Sequence, residues 1–146
     1  MTHNSSSTFR RCGVIAASAI VCMAMAVDVP AQRLTILHTN DTHSHIDPDD
    51  KGLGGILRRK VVIDSVRACD PYVRVIDAGD IVQGTLYFNL YKGEVENKMM
   101  NILGYDIRIL GNHEFDNGSE QLSENLRGSH ATLLSTNYDF SGPLAG

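Results

Sequence analysis

Tyr72–Leu110 reads YVRVIDAGDIVQGTLYFNLYKGEVENKMMNILGYDIRIL, and two β-rich runs flanking a helical one in this stretch decide the fold. Tyr72–Ile76 (YVRVI) is dense in β-branched and aromatic residues and follows Asp70-Pro71, a pair that stops whatever precedes it. Glu94–Leu103 sets Val95, Met99 and Ile102/Leu103 at helical spacing, and Gly104 ends the run. Asp106–Leu110 (DIRIL) is β-rich again. Strand, helix and strand at this spacing predict a βαβ unit with parallel strands.

Reading outward extends the alternation in both directions. Upstream, Leu34–Leu37 is a short strand, and residues 53–69 form a helix with Ile56, Leu57, Val61 and Val66 on or near one face. Cys69 closes that helix and is expected to be a small buried hydrophobe. Downstream, a helix runs from Ser119, its N-cap, to Arg127, with Gly128 as its stop, and Ala131–Ser135 is a further strand. The fold class is therefore α/β, a mainly parallel sheet covered by helices.

Composition bounds the alternatives. The chain has 146 residues, 42% apolar and 21% charged, which suits one globular domain rather than disorder, collagen or a coiled coil. A net charge of −4 gives no basic footprint for a nucleic-acid polymer. Arg10-Arg11 precedes an uncharged run over residues 12–27, and Val29-Pro30-Ala31 suits cleavage before Gln32. Residues 1–31 thus read as a secretory signal peptide whose uncharged run is shorter than the roughly 20 residues of a spanning helix, with a retained anchor as the minority reading; cleavage implies a periplasmic or extracellular protein with no stable membrane span. Residues 32–146 keep one cysteine, so no internal disulfide is available to them.

In parallel α/β sheets, ligands gather beyond the carboxyl ends of the strands. Those exits carry Thr39-Asn40-Asp41-Thr42-His43, Asp77-Ala78-Gly79-Asp80, Gly111-Asn112-His113-Glu114-Phe115-Asp116 and Thr136-Asn137. Asp41 and His43, two apart on an extended exit, make an ordinary half-site for a divalent transition metal. Asp80 can use its two oxygens to bridge two cations, and Asn112 offers a neutral carbonyl oxygen. Two such cations clamp a phosphoryl group, and a water between them loses a proton near neutral pH to become the nucleophile. His113, oriented by Asp116, is placed to protonate or polarise the leaving oxygen. Asp47, Asp49 and Asp50 around Pro48 read as a solvated turn, and His38, His45 and His130 as surface or structural groups. Met99-Met100 reads as core, and Gly52–Gly55 lacks the spacing of a phosphate-binding loop.

Leu37–His43, Asp77–Asp80 and Gly111–Asp116 together resemble the calcineurin-like metallophosphoesterases, with wording like that of the secreted 5′-nucleotidase and UDP-sugar hydrolase branch. Ser135-Thr136-Asn137 matches the next strand exit of that branch. The resemblance covers residues 33–140 and implies a four-layer α/β/β/α sandwich, of which this chain looks like the first half. It implies that Asp41 and His43 ligate a first metal, Asp80 bridges, Asn112 binds a second, and His113 with Asp116 stabilises the transition state. The cofactors would be two divalent ions, zinc, manganese or similar, and the substrate a nucleotide or another phosphate ester. A UDP-sugar hydrolase, a cyclic-nucleotide phosphodiesterase and a thiosulfohydrolase share these motifs; a non-catalytic exported remnant or binding module is the reading outside enzymology. The family's downstream histidines, one within Gly-His-x-His, and the branch's base-gripping second domain have no match here. The chain is accordingly expected to be an N-terminal fragment, inactive or nearly so alone.

Overall fold

The computed structural model describes residues 33–145; the signal peptide expected over residues 1–31 lies outside the described residues. Four strands, β1 (Thr35–Thr39), β2 (Val73–Asp77), β3 (Ile107–Arg108) and β4 (Thr132–Leu133), form one sheet in the order β1-β2-β3-β4. Every pair is parallel, with Leu37 opposite Val75, Asp77 opposite Arg108 and Arg108 opposite Leu133. β3 and β4 are shorter than the sequence suggests. The ladder nonetheless runs past them, since Ile109 N donates to Asp77 O at 2.9 Å and Leu134 N to Arg108 O at 2.9 Å.

The helices are α1 (Ile56–Cys69), α2 (Leu86–Tyr91), α3 (Glu94–Leu103) and α4 (Gly118–Arg127), with 3₁₀ turns at His113–Phe115 and Gly142–Leu144. A strand order that follows the chain, joined by right-handed crossovers, puts successive connections on one face of the sheet. The core lies there: Val73 and Val75 of β2 pack with Ile63 of α1, with Met100 and Leu103 of α3, and with Ile81, Val82 and Tyr105. On the opposite face Ile36 (53% exposed), Ile109 and Leu134 are open. The described residues thus build two layers of the expected α/β architecture.

Several expectations need correction. α1 begins at Ile56, not at residue 53, because Gly55 holds φ 82 and a Cβ there would lie 2.9 Å from Pro48 N. Its inward face carries Ile56, Ile63 and Val66, whereas Leu57 (80% exposed) and Val61 point outward. Cys69 is exposed rather than buried. Asp70, more than a helix stop, is buried and ties β1 to β2: it accepts from Thr35 Oγ1 (2.6 Å), Arg33 (2.7 Å) and Tyr72 N (3.0 Å). α2 carries no strong sequence signal; Thr85 caps it by accepting from Tyr87 N at 3.3 Å. Asn117, not Ser119, occupies the N-cap position of α4. Among the described residues no helix is long and apolar enough to cross a membrane.

Candidate metal centre

β1 and β2 end level with each other, so the loops that follow them run side by side. Asp41 N donates to Gly79 O (2.9 Å), His43 N to Asp80 O (3.1 Å) and Ser44 N to Ile81 O (2.8 Å). Asp41, His43, Ser44 and Asp80 hold φ values of 50°, 42°, 55° and 56°. Left-handed backbone at four non-glycine residues in two adjacent loops is strain of the kind that concentrates at functional sites. It turns the side chains of His43 and Asp80 toward the β3 exit.

That exit approaches Asp80 very closely. His113 N donates to Asp80 Oδ1 at 2.9 Å. A Cβ on Gly111 would overlap Asp80 Oδ1, and one on Gly79 would overlap Gly111 N, so the two glycines are what let the loops meet. The clamp that holds them is Glu114, a residue to which the sequence alone assigns no role. Its buried carboxylate accepts from Gly111 N (2.6 Å), Ile81 N (2.8 Å) and Asp80 N (3.1 Å). Its only signal in the sequence is its position between His113 and Phe115.

Ligand atoms of His43, Asp80 and His113 all lie within 4.8 Å of one another, and all three residues are half-buried. The His43 and His113 rings meet edge to face, with centroids 5.2 Å apart. Asp41 stands at the rim: its Oδ1 is 3.8 Å from His43 Nε2, and Asn40 donates to its other oxygen. Asn112 precedes the 3₁₀ turn, with an exposed side chain. Asp116 lies one turn on from His113 and holds His113 Nδ1 at 2.8 Å, which leaves Nε2 free. That hydrogen bond, donated by His113 Nδ1 to the Asp116 carboxylate, pushes the imidazole above its ordinary range, against a smaller opposing effect of burial. Asp47, Asp49, Asp50, His38, His45 and His130 are exposed. Asp49 caps its own turn by accepting from Leu53 N at 2.7 Å.

Beneath the centre lies a second polar layer. Asp77 (1% exposed) accepts from Thr39 Oγ1 at 2.6 Å and Gly79 N at 2.9 Å, and desolvation pushes its carboxyl up. Arg108, equally buried, donates to Asn97 Oδ1; burial lowers its pKa, while the Glu114 and Asp77 carboxylates favour its charge.

The calcineurin-like phosphoesterase family profile matches residues 34–144. The chain is 42% identical over 130 residues to the 5′-nucleotidase of Bos taurus, covering 80% of this chain and 23% of that protein. It is 41% identical over 134 residues to snake venom 5′-nucleotidase of Gloydius brevicauda, covering 85% of this chain and 23% of that one. Among solved structures, the 5′-nucleotidase precursor from Thermus thermophilus is 40% identical, with a TM-score of 0.72 over 77% of this chain and 24% of that one. The chain spans about a quarter of the length of these relatives.

Proposed function

The chain belongs to the calcineurin-like phosphoesterase family, and from that premise we propose that it carries the metal centre of a secreted hydrolase that releases phosphate from 5′-nucleotides. The observation that carries this reading is the convergence of His43, Asp80 and His113 at three successive strand exits. An imidazole and carboxylates beside a second imidazole are a donor set suited to zinc, manganese and similar ions, with one ring left over for proton transfer. Asp41 and His43 would hold one ion, Asp80 would bridge, and Asn112 would bind the other. Bound there, such ions supply Lewis-acid polarisation of the phosphoryl oxygens and a nucleophile from water at neutral pH.

The chain's own residues do the rest. Asp116 fixes the His113 ring through Nδ1 and favours its charged form, so Nε2 can donate to the oxygen leaving phosphorus. Glu114 keeps the Asp80 and His113 loops in register before any ion arrives. Since His113 lies within the ligand cluster and Asp41 at its rim, a second reading makes His113 itself a ligand. The export expected from residues 1–31 agrees with the venom origin of a relative.

Calorimetric titration with Mn²⁺ and Zn²⁺ tests the proposal, with phosphate release from 5′-AMP followed in parallel. Uptake should be lost in Asp80→Asn. Wild-type chain that takes up neither ion, or takes up both equally well after Asp80→Asn, would refute the metal centre and leave the binding-module reading. His113→Asn separates the two roles of that residue: a transition-state donor leaves ion stoichiometry unchanged, whereas a ligand lowers it.

A further inference from the structure

Behind the Asp41–Ser44 loop lies a cavity of about 20 Å³, walled by Ser44, Arg59, Asp77, Glu96, Met100 and Tyr105. Two of its polar walls are unusual. Glu96 of α3 is 4% exposed and Ser44 is 2% exposed, and among the described residues neither the two carboxylate oxygens nor the hydroxyl has a hydrogen-bond partner. Burying a carboxylate with no donor is among the most unfavourable arrangements a protein can adopt. The first-turn position of Glu96 is favourable toward the helix dipole, but Glu94, exposed in the same turn, meets that demand without burial. A donor held in the cavity would remove that cost.

We propose that one water molecule occupies this cavity, donating to Glu96 and accepting from the Ser44 hydroxyl, so that Glu96 is a positioning residue for the metal centre. A water needs roughly 10–15 Å³ of such space and two to four polar partners. Glu96 and Ser44 supply two, and Arg59 offers a third as donor. Asp77 and Tyr105 are already engaged with Thr39. The consequence falls on the neighbouring ligand. Ser44 at φ 55° directly follows His43 at φ 42°, and its backbone is pinned by Ile81 O (2.8 Å) and by Thr85 Oγ1 (3.2 Å). A water bridge to α3 pins its side chain as well, and fixes the left-handed pair from below. The link to metal binding rests on the reading of His43 as a ligand.

The test uses the full chain and the variants Glu96→Leu, Ser44→Ala, their double variant and Glu96→Gln. A metal-free crystal structure of the wild type should show density within hydrogen-bond reach of both Glu96 and Ser44 Oγ. Glu96→Leu and Ser44→Ala should each speed hydrogen exchange at the Ser44 amide. Each should also weaken Mn²⁺ binding about tenfold, the lower end expected for residues that orient ligands. The double variant should be no worse than either single one, and Glu96→Gln, which keeps an acceptor, should restore affinity close to wild type. A dry cavity, a direct Glu96–Arg59 pair, or losses that multiply in the double variant would overturn the inference. If the wild type takes up no Mn²⁺, the metal-centre reading fails by itself, and density and amide exchange still decide the bridge.

Discussion

Replacing Glu114 tests whether one carboxylate joins the two loops that carry Asp80 and His113. Its Oε2 takes two backbone donors, Asp80 N and Gly111 N, and its Oε1 takes Ile81 N. In Glu114→Gln the amide oxygen can keep the pair at the Oε2 position, but an NH₂ group then faces Ile81 N. One charge-assisted bond is lost and two donors are opposed, a destabilisation of about 2 kcal/mol. For a domain of this size that lowers the melting temperature by roughly 8 °C. Glu114→Ala strands three donors, the buried Ile81 N at roughly 1–3 kcal/mol before any relaxation and the part-buried Asp80 N and Gly111 N at less each. That is a large part of the few kcal/mol on which a small domain stands, so this variant should fold poorly or not at all. Thermal and urea melts followed by circular dichroism give both quantities, and the Gln variant should also bind Mn²⁺ more weakly. A Gln variant melting within about 1 °C of wild type would show that the loops are held by something else.

Three further outcomes follow from separate parts of the fold. Gly111→Ala sets a Cβ against Asp80 Oδ1 and 2.7 Å from Asp80 N, so both metal uptake measured by calorimetry and the melting temperature should fall. Asp70 has a folded pKa lowered to about 2 by Thr35, the Tyr72 amide and Arg33, against an ordinary 3.8. Its contribution is therefore complete above 3.8 and disappears as pH falls toward 2; the gap in melting temperature between wild type and Asp70→Asn should close over that window. Arg108→Met removes the cation beside buried Asp77 and Glu114 and should destabilise by about 3 kcal/mol at neutral pH. Because burial already raises the Asp77 pKa, protonation of Asp77 relieves the variant, and urea melts should show the deficit shrinking as pH falls.

The strand–helix alternation is legible in the sequence because its apolar periods are strong: Val73, Val75, Met100 and Leu103 all lie in the core. The convergence of His43, Asp80 and His113 is legible because candidates cluster at strand exits, a rule of topology that needs no side-chain geometry. Other features are not. The inward face of α1 escapes periodicity, since Leu57 and Val61 are as apolar as Ile63 and only the position of the sheet separates them. The start of α1 turns on the left-handed Gly55 beside Pro48, a tertiary contact. Asp70, Glu114 and Arg108 work by pairing across at least one loop or strand, and single-sequence spacing does not encode such pairs. Cys69 falls at a helix end, where chemistry suggests burial but the local surface decides it.

The left-handed backbone at Asp41, His43 and Asp80 changes what an alanine scan of this centre would measure. Asp, Asn and His tolerate that conformation better than most residues, whereas alanine there is disfavoured by about 1 kcal/mol. Each alanine variant would therefore delete a donor and loosen the loop at once, and roughly a fivefold part of any lost affinity would belong to the main chain. Asparagine in place of either aspartate keeps the turn and one carbonyl acceptor, while it exchanges the other oxygen for an NH₂ group and removes the charge. At these positions the near-isosteric swap isolates the chemistry, and the truncation does not.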